Sequence, residues 1–218
     1  MIYIDTDIEG FDLARALNEI SPQRRAQALG YRRDTDRRLS VMAYRLLQRA
    51  LREEYAITKP PVLDYLPGGK PVIAGHPEIH FNLSHCRGGA VCAVSDHPVG
   101  ADLETLRPFK EALARYIFCE TDYRRMADSE RPDEAFTRLW TVKEALGKLT
   151  GMGLGGSFQQ PTVTTDSPAE WQVKTVGLPA SWSGVLSFED LETACPAIEA
   201  NGMDNSHKIY LSVCQSAR

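Results

Sequence analysis

The chain has 218 residues and a formal net charge of -4, which excludes a general nucleic-acid binder because such a protein needs a dominant basic face. No apolar run approaches the roughly 18 residues of a membrane span, and the acidic opening MIYIDTDIEG lacks the basic start of a secretory signal, so we expect a cytoplasmic protein. Five scattered cysteines without a C-x-x-C spacing predict neither a disulfide framework nor a zinc site.

The first quarter of the chain predicts a short strand and two helices. Met1 to Ile4 are the strand, and Ser21 followed by Pro22 is typical of a helix start, with a capping hydroxyl and proline at the first helical position. A second helix is predicted to begin at Asp34 or Thr35. Seven apolar residues recur at the helical period and predict its buried face: Leu39, Met42, Ala43, Leu46, Leu47, Ala50 and Leu51.

Turn residues and extended segments come next. DYLPGGKPVI is typical of a turn, because Gly68 and Gly69 supply backbone freedom and Pro71 forces Lys70 into an extended conformation. HFNLSH, AVCAVSD and VGADLE are predicted strands separated by turn signals.

The second half predicts more helices and then strands. FKEALARYIF and TDYRRMAD indicate helices, and DEAFTRLWTVKEALGKLTG indicates a longer one with an acidic first turn and Gly151 at its end. EWQVKTV and KIYLSVC are predicted strands, GMGLGGSFQQ is a predicted loop, and no element is assigned to residues 191–206. Both halves run from helices towards strands, which suits two similar α/β lobes.

Two carboxylates lie close together in VGADLE. Asp102 and Glu104 project to the same side of a strand because side chains alternate, and Gly100 on that side leaves room for something to approach. Two facing like charges favour a cation between them, and oxygen ligands without nearby His or Cys favour magnesium, manganese or calcium. The alternative is an edge strand with a hydrated acidic face.

Four further residues are candidates for chemistry. Glu144 and Lys148 are four apart and share one helix face, although a surface ion pair would give the same pattern. Ser84 and His85 are adjacent on a strand and therefore point to opposite faces, which argues against a nucleophile and base pair. Either residue could instead contact a phosphate, and the alternative for the histidine is a buried structural role.

Four blocks occur in one order: GGKPVI, FNLSHC, VGADLE and LWTVKEALGK. In order and spacing they resemble the motifs of the 4′-phosphopantetheinyl transferase superfamily, specifically its larger single-chain, surfactin-synthetase-activating class. The flanking segments ISPQRR, DRRLSVMAYRLL and FCETDY are also similar to that family. The resemblance covers the chain well up to the end of the fourth block and poorly beyond it.

The resemblance implies an α/β (α+β) fold of two similar lobes, residues 1–99 and residues 100–218. The lobes would be related by pseudo-two-fold symmetry, each a small antiparallel sheet packed with helices, with the active site at their interface. The implied enzyme is a monomer that transfers the 4′-phosphopantetheine arm of coenzyme A to a serine of an acyl or peptidyl carrier protein and releases 3′,5′-ADP. The implied cofactor is Mg²⁺, with Mn²⁺ as the alternative, and no nucleic acid or membrane partner is expected. The resemblance leaves open whether the carrier protein serves fatty-acid, polyketide or non-ribosomal peptide biosynthesis.

The resemblance also implies roles for individual residues. Three carboxylates would bind the metal: Asp102, Glu104 and Glu144. Seven residues would contact coenzyme A: Arg24, Arg38, Lys70, Pro71, Ser84, His85 and Lys148. Glu144 is the candidate base for the incoming serine, and Lys148 would offset charge on the departing 3′,5′-ADP, so these two are the predicted catalytic residues.

Two other functions are compatible with the same residues. One is a coenzyme A or carrier-protein binding module that has lost turnover, although all three carboxylates and Lys148 are present. The other is a magnesium-dependent hydrolase that would cleave a pyrophosphate with water and need no carrier protein.

Overall fold

The computed structural model describes residues 1–153, 171–179, 182–191, 193 and 208–216. Its helices are α1 (Leu13–Glu19), α2 (Pro22–Gly30), α3 (Asp34–Tyr55), α4 (Glu111–Ile117), α5 (Glu120–Ala127) and α6 (Pro132–Thr150). Its strands are β1 (Ile2–Asp5), β2 (Leu63–Tyr65), β3 (Pro71–Ile73), β4 (His80–Cys86), β5 (Gly89–Ser95), β6 (Val99–Thr105), β7 (Trp171–Pro179), β8 (Gly184–Leu186) and β9 (Lys208–Ser216). A single 3₁₀ turn within these ranges covers Glu189–Leu191.

The first antiparallel sheet has the strand order β4-β5-β1-β8 and is covered by α3. The predicted helix starts are confirmed: α2 begins at Pro22 with the Ser21 hydroxyl accepting from the Arg24 N–H at 3.2 Å, and α3 begins at Asp34. All seven residues of the predicted apolar face of α3 are buried. The period-3.6 pattern therefore identified the helix that packs on this sheet.

The second sheet has the order β6-β9-β7 and is also antiparallel. One face packs against the first sheet through a shared apolar core that includes Ile4, Val91, Leu103 and Leu211. The opposite face is covered by α6, and α4 and α5 pack beside that helix through a cluster centred on Phe136. The α/β class and the predicted small antiparallel sheets are confirmed.

Helix α6 lies unusually close to β6 at Gly100. A Cβ atom at this position would lie 2.7 Å from the Leu149 backbone nitrogen and closer still to the Ala145 carbonyl oxygen. The space that the sequence predicted on the carboxylate side of the strand is therefore filled by helix backbone. This contact places α6 directly over the face of β6 that carries Asp102 and Glu104.

One helix and three strands were not predicted. Helix α1 is short and lacks a clear apolar period. The stretch DYLPGGKPVI, predicted only as a turn, forms the hairpin of β2 and β3, and β8 has only three residues. Most of the predicted loop GMGLGGSFQQ and most of residues 191–206 lie outside the described residues. The predicted helix stop is confirmed, since Gly151 ends α6 in the left-handed conformation with φ 74°.

Strand β8 joins the two halves of the chain. It comes from the second half but pairs with β1, so that Ile2 stands opposite Leu186 and Ile4 opposite Gly184. The first sheet thus includes a strand from beyond residue 99. The division into lobes of residues 1–99 and 100–218 stays a prediction.

Within the described ranges, no helix has both the length and the apolar character needed to cross a membrane.

Candidate active site

The predicted carboxylates of β6 face α6. Asp102 is buried, and its Oδ1 accepts hydrogen bonds from the Ser84 hydroxyl at 2.7 Å and from the Lys148 ammonium at 2.5 Å. Lys148 also donates to the Ser84 hydroxyl at 2.9 Å. Ser84 on β4, Asp102 on β6 and Lys148 on α6 therefore form one hydrogen-bonded cluster, the charged triad. The Lys148 ammonium supplies the positive charge that offsets the cost of burying the Asp102 carboxylate.

Glu104, two residues along the strand, has a different partner. Its Oε2 accepts from the Arg107 guanidinium at 3.0 Å, and its Oε1 accepts from the Thr105 N–H at 3.0 Å. The guanidinium of Arg107 stands 4.2 Å from the centre of the Trp140 ring. Each strand carboxylate is thus paired with a separate cation.

Glu144 stands on α6 opposite these groups and is half-buried. It has no hydrogen bond or ion pair with any described residue. Desolvation, followed by the negative charge of Asp102, raises the pKa of Glu144, while Lys148 and Arg107 oppose the shift. A carboxyl group with a raised pKa holds and releases protons closer to neutral pH than an ordinary one does.

The three carboxylates are near neighbours, but they do not surround one point. In the part of the chain that the structure describes, no three His, Cys, Asp or Glu side chains are arranged to hold a metal ion. The donor set still suits a hard divalent cation, because it offers only oxygen atoms and because Glu144 lies close enough to Asp102 and Glu104 to interact electrostatically with both. The metal-binding set of Asp102, Glu104 and Glu144 stays a prediction.

A cleft of about 380 Å³ opens beside the charged triad, and this volume is within the size range of ligand sites. Its walls come from α2, the β2–β3 hairpin, β4 and the carboxyl end of α6. The predicted residues that line it are Arg24, Lys70, Pro71, His85 and Lys148. Gly68 and Gly151 approach each other closely in the wall of the cleft, since a Cβ at Gly68 would lie 2.7 Å from the Gly151 carbonyl oxygen.

The basic groups of the cleft are partly desolvated. Lys70 donates to the Leu149 carbonyl at 2.7 Å, and desolvation lowers the pKa of its ammonium group. His85 is open to the cleft, and desolvation, followed by the charges of Arg24 and Lys148, lowers the pKa of its imidazole. Four basic side chains in one cleft make a binding site suited to an anion.

Arg24 is partly committed to the fold. It donates to the Ser40 carbonyl at 2.8 Å and to Gln27 Oε1 at 3.0 Å, and its guanidinium stands 5.7 Å from the Tyr44 ring centre. Its Nε is buried and has no partner among the described residues. Desolvation lowers the pKa of this guanidinium, and a buried unpaired donor on the wall of a cleft favours an anionic ligand there.

Two predicted contacts lie outside the cleft wall. Ser84 is buried beneath the cleft, on the opposite face of β4 from His85, as strand alternation predicts. Arg38 is directed elsewhere: it donates to the Phe11 carbonyl at 3.0 Å and pairs with Glu9 at 3.4 Å. The structure therefore does not bring Arg38 to the other predicted residues.

Comparison with known proteins shows the family to which the chain belongs. The model of the 4′-phosphopantetheinyl transferase superfamily matches residues 98–196. The 4′-phosphopantetheinyl transferase AcpT of Salmonella typhimurium is 35% identical over 144 residues, which cover 63% of this chain and 70% of AcpT. The chain belongs to the 4′-phosphopantetheinyl transferase superfamily.

Two Bacillus members of this superfamily are also similar. The 4′-phosphopantetheinyl transferase psf-1 of Bacillus pumilus is 36% identical over 138 residues, which cover 62% of this chain and 59% of psf-1. The 4′-phosphopantetheinyl transferase Sfp of Bacillus subtilis (strain 168) is 28% identical over 156 residues, which cover 70% of each chain. These matches confirm the family, the larger single-chain class and the prediction that the chain is an enzyme.

Sequence reasoning missed two residues of this phosphopantetheinyl transferase site. Asn82 is among the residues that line the cleft, and its Oδ1 accepts a hydrogen bond from the Ala101 N–H at 3.0 Å, which fixes β4 against β6. Arg107 pairs with a predicted metal ligand. The signal for Asn82 was its place in the FNLSHC block, whereas nothing in the sequence distinguished Arg107 from the other arginines.

Proposed function

We propose that this enzyme transfers the 4′-phosphopantetheine arm of coenzyme A to a serine of an acyl or peptidyl carrier protein and releases 3′,5′-ADP. One observation carries the proposal: Lys148, which lines a basic cleft within the size range of ligand sites, is hydrogen-bonded to the buried carboxylate of Asp102 on β6. An anionic cosubstrate in the cleft would bring its phosphates to Lys148, whose ammonium is already held at the boundary between the cleft and Asp102.

The reaction forms a bond between the serine oxygen and the β-phosphorus and breaks the bond from that phosphorus to the oxygen of 3′,5′-ADP. The serine proton must move to a base, and we assign this role to the carboxylate of Glu144, which has no competing partner among the described residues. The electron pair of the broken bond leaves with the nucleotide phosphate. Lys148 stands where it can offset the charge that develops there.

The proposed metal is Mg²⁺, with Mn²⁺ as the alternative. Asp102, Glu104 and Glu144 would hold it, and when bound it supplies charge neutralisation on the pyrophosphate. The protein's own residues keep the reactants in position: Ser84 fixes Asp102, and His85, Arg24 and Lys70 bind the nucleotide end. Pro71 contributes a rigid wall to the cleft beside Lys70.

We also propose that the enzyme works in the cytoplasm. We propose that it works there as a monomer, because β4, β6 and α6 of one chain supply every residue of the charged triad. Size-exclusion chromatography with light scattering tests the oligomeric state. A stable dimer, with transfer lost on dilution to monomer, would contradict it.

The test is an incubation of apo carrier protein, coenzyme A and Mg²⁺, followed by intact mass measurement. Transfer predicts that the carrier gains one phosphopantetheine arm and that chelation abolishes the gain. The Asp102→Ala variant should be inactive, whereas Glu53→Ala, which removes a carboxylate from the exposed face of α3, should retain activity. Release of 3′,5′-ADP with unchanged carrier mass would indicate a hydrolase, and neither product would indicate a binding module.

A further inference from the structure

The three proposed metal ligands differ in how accessible their oxygen atoms are. Asp102 uses Oδ1 for both Ser84 and Lys148, and its Oδ2 has no partner among the described residues. Both oxygens of Glu144 are equally unengaged within those residues. Glu104 is the exception, because Thr105 occupies Oε1 and Arg107 occupies Oε2.

Arg107 is held in place rather than free to move in solvent. Its backbone N–H donates to the Thr137 hydroxyl at 2.9 Å, and its guanidinium packs on Trp140, so both ends of the residue rest on α6. Side-chain entropy normally weakens an exposed ion pair. Here the stacking has already restricted the side chain, so less entropy is lost when the guanidinium holds Glu104.

We propose that Arg107 competes with the divalent cation for Glu104 and thereby sets the metal affinity of the enzyme. This inference rests on the proposed function, because it requires Glu104 to be a metal ligand. A cation can reach Asp102 without displacing Lys148, but it gains the Oε2 of Glu104 only if Arg107 withdraws. The guanidinium charge also repels a divalent ion at this position.

Removal of the Arg107 charge should strengthen metal binding. The probe is Mn²⁺ alone, titrated into the full chain while the free ion is measured by electron paramagnetic resonance. We expect Arg107→Gln to bind Mn²⁺ about fivefold more tightly, the fold-change that corresponds to about 1 kcal/mol for one partly exposed ion pair. Arg107→Lys should shift the affinity in the same direction by less, because a lysine keeps the charge but not the flat stack on the ring.

Arg115 offers a matched control. It pairs with Glu111 at 3.1 Å and stands 3.8 Å from the Tyr123 ring centre, so it repeats the same arrangement away from the carboxylates. Arg115→Gln should leave Mn²⁺ affinity unchanged. A gain of similar size in this variant would overturn the inference, because it would reveal only a general effect of net charge.

Other outcomes also decide the matter. If a folded Arg107→Gln protein binds Mn²⁺ no more tightly than wild type, Arg107 does not compete with the cation. If that variant does not fold, an Arg107→Lys protein with the Mn²⁺ affinity of wild type gives the same conclusion. In a Glu104→Gln background, the gain from Arg107→Gln should vanish, and a persistent gain would refute the role of Glu104. If neither wild type nor any variant binds Mn²⁺ but wild type still modifies the carrier, the inference fails and the proposed function stands. If the Mn²⁺ affinities change as expected but no protein transfers the arm to the carrier, the inference stands and the proposed function fails.

Discussion

The close approach of α6 to β6 makes Gly100→Ala the sharpest test of how the fold positions the site. The added methyl group would lie 2.7 Å from the backbone nitrogen of Leu149 and 2.9 Å from its Cβ, whereas ordinary contact begins at 3.4 Å. These obstructing atoms belong largely to helix backbone, which cannot rotate away as a flexible side chain can. The helix must therefore shift by well over half an ångström.

Both stability and turnover should suffer. Overpacking of a tightly packed core costs about 1 to 3 kcal/mol, and we expect the upper end because backbone is the obstacle. For a chain of this length that loss lowers the unfolding midpoint by about 6 to 12 °C. The same shift moves Glu144 and Lys148 away from the β6 carboxylates, and a displacement of about 1 Å at reacting groups reduces the rate about 100-fold.

Thermal unfolding and the initial rate of carrier mass gain measure the two effects. Gly30→Ala is the matched control: a Cβ at that position meets nothing within 4 Å, so both quantities should stay near wild type. A Gly100→Ala protein with the unfolding midpoint and rate of wild type would refute the reasoning. It would mean that α6 does not depend on this contact for its position.

Three further predictions concern single groups of the site. Lys148→Ala removes the cation from Asp102 and should raise the barrier to transfer by about 3 kcal/mol, seen as a loss of more than 100-fold in initial rate; a rate within twofold of wild type would reduce Lys148 to a structural partner. Asn82→Ala leaves the buried Ala101 N–H without its acceptor and should lower the free energy of unfolding by about 2 kcal/mol in a denaturant titration, where no change would mean that another group replaces the amide. The pKa of His85 is lowered in the folded state, so below about pH 6.5 the unfolded chain binds more protons than the folded one, and stability should be full above that pH and decrease as the pH falls through the lowered pKa. In unfolding titrations between pH 7 and 5, His85→Gln should make this decrease shallower. A pH profile identical to that of wild type would contradict the prediction.

Elements with a strong period or a clear cap were predictable from the sequence alone. Ser21 with Pro22 marked the start of α2, and the apolar face of α3 followed from spacing because one helix covers one sheet. Helix α1 and strand β8 were not predictable, since each is short and depends on partners distant in sequence. Strand β8 becomes a strand only by pairing with β1, which local propensity cannot reveal.

The candidate site divides in the same way. Alternation on β4 correctly placed Ser84 and His85 on opposite faces, and a four-residue spacing placed Glu144 and Lys148 on one helix face. Motif position could not show that Arg38 would be directed towards the Phe11 carbonyl, because its partners lie in a loop without a sequence signal. Partners of individual carboxylates depend on tertiary packing, which explains why the pairing of Arg107 was missed.

The pairing of β8 with β1 also bears on how the enzyme is made. Ile2–Asp5 leaves the ribosome well before one of its two neighbours, Gly184–Leu186, has been synthesised. Until then the first strand presents an open row of peptide groups to other nascent polypeptides. We therefore expect slow maturation and a reliance on chaperones during synthesis, with aggregation as the main competing route.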